Sequence, residues 1–203
     1  YVLLNGTGRL ICDKIGQANH LPYYNSEGDK MKKVAIVGFS NTTRDQAPWK
    51  DESVEIWGCN EGYVLDFPRA NKWFQLHTYN SFSRSDNHND PNHFKWLKEE
   101  HPFPIYMQRV FKSIPASVAY PFDEIKEKFG YDDRLYATSS FSYMMLYAMY
   151  VYVLYGDCEE IGIYGFEMAT DSEYFHQRAN AEYLIGMARG MGIKVILPEN
   201  GNL

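Results

Sequence analysis

The chain has 203 residues, enough for one α/β domain with a full core. Apolar residues make up 45% and charged residues 23%, an ordinary globular composition that argues against a disordered or fibrous chain. The net charge of −6 and the absence of any basic run make extensive nucleic-acid binding an unfavoured function.

The first 30 residues, with scattered Gly, Asn and Pro, differ from the rest and read as an N-terminal extension. Met31-Lys32-Lys33 before a buried strand suits a natural start, and no apolar h-region follows a basic opening as in a signal peptide. Residues 31–203 are expected to form a single Rossmann-like nucleotide-binding domain. Cys12, Cys59 and Cys158 lack CxxC spacing, and this odd count suggests free thiols and a cytoplasmic location.

From Met31 onward the chain alternates. "KVAIVGF" (33–39), "VEIWGCN" (54–60) and "KWFQLH" (72–77) are short, apolar and β-branched or aromatic, as buried strands are. Residues 90–100 are expected to be helical, with Asp90 as cap and Pro91 behind it. His88 and His93 beside this entry are assigned to a solvated loop rather than to a metal. "PIYMQ" (104–108) reads as a strand, and 120–130 as a short helix closed by Gly130.

"ATSSFSYMMLYAMYVYVLYG" (137–156) carries no charge over 20 residues, the length of a membrane span. Its five tyrosines and three serines, flanked by strand-like segments, instead suit a central helix or an oligomer contact. No membrane span is assigned, and a homo-oligomer through residues 139–155 is an expectation. A strand at 160–168, a helix at 180–192 and a last strand at 193–198 complete the chain. The alternation implies an α/β fold with a mostly parallel sheet flanked by helices on both faces.

Ligands of such sheets bind at the carboxyl ends of the strands, beside the switch in strand order. That places Gly38, Ser40 and Asn41 after the first strand, Asn60 after the second, His77 after the third and Gln108 after the fourth. The fifth ends at Gly165, with Glu167 just beyond as a catalytic candidate. Gly38 suits either close approach of a ligand or a plain tight turn. A lone glycine cannot wrap a diphosphate as a P-loop does, so this loop is read as offering Ser40, Asn41 and Thr42 to a sugar or phosphate. Asn60 suits a base or sugar, whereas His77 reads as structural. Thr138, Ser139 and Ser140 are cap residues of the long helix, whose first-turn amides are able to receive an anion.

Residues 164–186 carry Glu167, Asp171, Glu173, Tyr174, His176 and Arg178 in what reads as a polar loop before the next helix. Histidine titrates near neutrality, so His176 is the natural proton acceptor, with Tyr174 and Arg178 placed to bind a leaving phosphate.

In order, "KKVAIVGFS", "CNEGY", "ATSSFSYMMLYAM", "EIGIYGFEM", "EYFHQR" and "GIKVILPENGNL" resemble bacterial sialyltransferases of glycosyltransferase family 42. They also resemble the Rossmann-like domains of motility accessory factors and hydroxymethylpterin diphosphokinase-like proteins. The resemblance runs from about Lys32 to Leu203. It implies that Gly38, Asn41 and Asn60 meet the nucleotide of the donor, together with the helix start at Thr138-Ser139-Ser140. It matches Gly165 to Met168 to the family's acidic strand end, Tyr174 to a phosphate-binding tyrosine and His176 to the general base. Ten residues separate Gly165 from His176, where the sialyltransferases carry a long lid.

The leading expectation is metal-independent glycosyl transfer from a nucleotide-sugar, with no cofactor beyond that donor. The alternatives are Mg²⁺-dependent diphosphate transfer from ATP to a small alcohol, with Glu167 and Asp171 as metal carboxylates, and a non-catalytic nucleotide-binding or assembly domain.

Overall fold

A computed structural model describes residues 33–84, 90–156, 158–168, 172–201 and 203, with the backbone alone over 172–175. The expected extension at 1–30, His88 and Asp171 lie outside the described residues, as does the side chain of Tyr174.

Seven parallel strands form one sheet: β1 (Lys33–Val37), β2 (Val54–Cys59), β3 (Lys72–Gln75), β4 (Ile105–Met107), β5 (Ser117–Ala119), β6 (Glu160–Tyr164) and β7 (Lys194–Ile196). Their order is β5-β4-β3-β2-β1-β6-β7. The chain therefore starts in the middle, winds outward to β5, then returns to the other side of β1. Because β6 pairs with β1 in register Lys33↔Glu160 to Val37↔Tyr164, both strands end side by side. Their carboxyl ends flank the point where strand order reverses, the place for a crevice in an open parallel sheet.

The strands are apolar throughout because both faces are covered. On one face lie Val34, Ile36, Trp57, Phe74, Ile161 and Ile163, packed under α4 (Phe122–Phe129), α5 (Ser140–Tyr155) and α6 (Ser172–Gly190). The other face carries Ala35, Val37, Ile56, Trp73, Ile105 and Met107. Short pieces cover it: α1 (Asn41–Arg44), a 3₁₀ turn at Gly62–Leu65, α2 (Tyr79–Phe82) and α3 (His93–Leu97).

The uncharged segment 137–156 is a central helix. Phe141, Ser142 and residues 144–151 of α5 are buried inside the domain, so most of its apolar perimeter is already used. Among the described residues no helix is long and apolar enough to cross a membrane.

Several expected bounds shift. The strand expected over 160–168 ends at Tyr164, since Gly165 takes φ 69°. The helix expected over 90–100 is α3 alone. The Asp90 carboxylate instead accepts the Asn92 N–H at 2.8 Å, closing a turn that ends at Asn92, the helix cap. The largest change is at the C-terminal side, where α6 begins at Ser172 rather than at 180. The polar residues His176, Gln177 and Arg178 stand on a helix rather than in a loop. Glu, Gln, Arg and Ala propagate helices well, and Arg178 pairs with Glu182 one turn on, at 2.8 Å. The buried stripe of Asn180, Ala181, Leu184, Ile185 and Ala188 keeps a helical period.

Candidate active site

The carboxyl ends of β1 and β6 are locked together. Gly38 N–H donates to the Tyr164 carbonyl at 2.8 Å, and Ser40 N–H donates to the Gly165 carbonyl at 2.8 Å. A Cβ on Gly38 would sit 2.5 Å from that carbonyl oxygen and 2.9 Å from the Phe166 ring. One on Gly165 would sit 2.8 Å from the Gly38 carbonyl oxygen. The close passage of two backbones thus demands glycine at both positions, with or without a ligand. Thr43 Oγ1, buried, accepts the Gly165 N–H at 2.8 Å and completes this exit. Ser40 caps α1, its hydroxyl accepting from Thr42 N–H at 3.3 Å, while Asn41 stays exposed at the rim.

Asn60 leaves β2 in the left-handed region, at φ 47°, a conformation that Asn tolerates better than most residues. Its amide nitrogen donates to Ser140 Oγ at 3.0 Å, fastening the end of β2 to the first residue of α5. Ser139 is the cap of α5, its hydroxyl accepting from Ser142 N–H at 3.3 Å. This leaves the N–H groups of Ser140 and Phe141 without a partner among the described residues. The Phe141 ring packs on Phe166 at 4.9 Å, so the helix start abuts the segment that follows β6.

The helix start is also tied to α6. Asn180, fully buried, bonds Thr138 and Ser142 through its carbonyl oxygen, and its amide nitrogen donates to the Tyr136 carbonyl at 2.9 Å. His176 stands one turn earlier on α6 and is exposed, as is Thr138. Arg178 lies on the same turn, engaged with Glu182, and Glu167 is half-buried just beyond β6. Gly38, Ser40, Asn60, Ser139, Ser140 and Gly165 are joined by these contacts, while Thr138 and α6 are joined through Asn180.

Other sequence candidates go elsewhere. Gln108 donates to the Leu76 carbonyl at 3.0 Å and braces the ends of β3 and β4. His93 is not solvated, contrary to expectation. It is fully buried against the Gln75 amide, with Nδ1 3.3 Å from the Tyr63 hydroxyl and its ring stacked on Tyr63. The polar composition of residues 85–94 concealed this, because burial depends on the aromatic side chains of distant elements. Cys59 sits beside Asn60, but burial pushes its thiol up to about 12, so it holds no thiolate at neutral pH. Among the described residues no three His, Cys, Asp or Glu side chains gather as metal ligands would.

Sequence reasoning missed Thr43, Ser142 and Asn180. Asn180 has a signal in retrospect, as a polar residue at a position where the apolar stripe of α6 requires a buried one.

No protein-family model matches the chain, and no curated protein does. Among solved structures, the chain is similar to the sialyltransferase CstII from Campylobacter jejuni in complex with cytidine-5'-monophosphate. The TM-score is 0.53 at 16% identity, over 84% of this chain and 81% of that one. The CstII structure in complex with the substrate analogue CMP-3FNeuAc gives 0.51 at 12% identity, over 82% and 80%. The chain therefore shares the fold of these sialyltransferase structures across most of its length.

Proposed function

We propose that the protein is a glycosyltransferase that uses a nucleotide-sugar donor without a metal. The observation that carries this reading is the convergence of three strand ends and the start of α5 on one edge. That edge belongs to a fold shared with sialyltransferase structures that hold CMP and a CMP-sugar analogue.

Asn60 and the Gly38–Asn41 turn contact the nucleoside. The first turn of α5, at Thr138, Ser139 and Ser140, receives the donor phosphate. Its unpaired N–H groups and the helix dipole favour an anion there. His176 takes the proton from an acceptor hydroxyl as that oxygen bonds the anomeric carbon of the donor. The bond from that carbon to the phosphate oxygen breaks, and the nucleotide leaves with the electron pair. Tyr174 and Arg178 stabilise the leaving phosphate. The Arg178–Glu182 pair is exposed, and such pairs contribute little to stability, so Arg178 can turn toward an anion at small cost. Glu167 is the further acidic group at the edge.

A thermal-shift series with nucleotides and nucleotide-sugars, each with and without Mg²⁺, tests the donor class through mass action. CMP or UDP compounds should stabilise the protein equally with and without magnesium. A shift seen only with ATP and Mg²⁺ would replace this reading with diphosphate transfer. His176→Ala should then lower turnover by about 10²-fold or more while leaving the nucleotide shift in place. Parallel loss of both would make His176 structural.

A further inference from the structure

Asn180 is a polar side chain with no exposure, set in the apolar stripe by which α6 packs on its neighbours. Its amide has one permitted orientation. The oxygen accepts from Thr138 N–H at 3.3 Å, from the Thr138 hydroxyl at 3.2 Å and from the Ser142 hydroxyl. The nitrogen donates to the Tyr136 carbonyl at 2.9 Å. Reversal would set an NH₂ group against the Thr138 N–H and a carbonyl oxygen against the Tyr136 carbonyl. Packing alone needs none of this, since Ala181, Leu184 and Ala188 fill the same stripe with apolar groups.

We infer that Asn180 is a positioning residue for the phosphate end of the nucleotide. It holds residues 136–142 so that the Ser140 and Phe141 N–H groups stay presented at the sheet edge. It also sets that turn against the helix carrying His176, four residues earlier. The inference rests on the reading that the first turn of α5 takes the donor phosphate. Neutrality is part of the role. A carboxylate at 180 would accept the same three donors, yet it would place a negative charge at the helix end meant for an anion.

Two variants separate this role from a merely structural one. Asn180→Asp keeps the three acceptor contacts and loses the donor to Tyr136. By calorimetry it should bind CMP about tenfold more weakly than the wild type and cytidine about equally, because only CMP carries the phosphate. Equal effects on CMP and cytidine, or no effect on either, overturn the inference.

Asn180→Ala removes every contact. Hydrogen exchange should quicken over residues 136–143 while β1 and β2 keep their protection. If Asn180→Ala does not fold, Asn180→Ser, which keeps one acceptor, takes its place. Unchanged exchange over 136–143 in Asn180→Ala overturns the inference. Should the wild-type protein bind neither CMP nor cytidine, the donor reading fails, and the phosphate role that rests on it falls with it.

Discussion

The two faces of the sheet are covered by opposite means. Over one face lie two long helices, α5 and α6, together with α4, and their side chains form one continuous cluster with β1 to β7. Over the other lie helices of four or five residues, too short to be stable by propensity. They are held by aromatic packing and by bonds from side chains to backbone. Trp73 is buried among Phe67, Tyr63, Trp96 and Phe103, with ring centroids 5.4 to 6.5 Å apart. Arg69 donates to the carbonyls of Trp49, Pro48, Asp51 and Val54 and to Asn71 Oδ1, stitching the loop before β2 to the loop before β3. The lesson is that one face is specified by long apolar helical segments and the other by single anchor residues.

Trp73→Ala should have the largest effect, a loss of about 3–5 kcal/mol in urea unfolding. Its companion reading is sharper: amides of α2 and α3 should exchange faster while those of α5 and α6 keep most of their protection. Equal loss on both sides would show one cooperative unit and dissolve the contrast. Arg69→Met should come next, at about 2 kcal/mol, because it strips the charged donor from several carbonyls at once. If it costs no more than Lys128→Met on the exposed side of α4, the anchor description of the second face is wrong.

The smallest effect concerns the thiols of the first face. Burial raises Cys59 and Cys158 from an ordinary value near 9 to about 12. Both should resist iodoacetamide at pH 8 in the native protein, as read by mass spectrometry. The unfolded chain releases these protons first, so it binds fewer protons than the native state between about pH 9 and 12. Stability should therefore be intact below pH 9 and fall as pH rises through that window. The buried Tyr120 and Tyr147, also raised by burial, add to the same trend.

Legibility in the sequence follows the same division. β1, β2, β3 and β6 stood out as short apolar runs, and α5 as an uncharged stretch opened by serines and closed by Gly156 at φ 70°. β4 and β7 were also read as apolar runs, whereas β5, Ser-Val-Ala with a single branched apolar residue, and the four-residue helices α1 and α2 left no such trace. At the candidate site, Gly38, Asn60, Ser139 and Gly165 were legible because strand ends mark the ligand edge of a parallel sheet. Asn180 was not, because its partners at 136, 138 and 142 are about 40 residues away in the chain.

By itself, the sequence determined the α/β class, the parallel character of the sheet and the edge on which polar strand ends gather. Those properties depend on local period and composition, which a linear chain carries. Only the tertiary structure decided that Gly38 and Gly165 face each other across two strands, that Asn60 fastens to Ser140, and that His176 sits within a helix. It also decided that His93 is buried rather than solvated. These outcomes depend on which distant segments meet, and hydrogen bonding or burial of a polar group is fixed by its neighbours in space rather than by its neighbours in sequence.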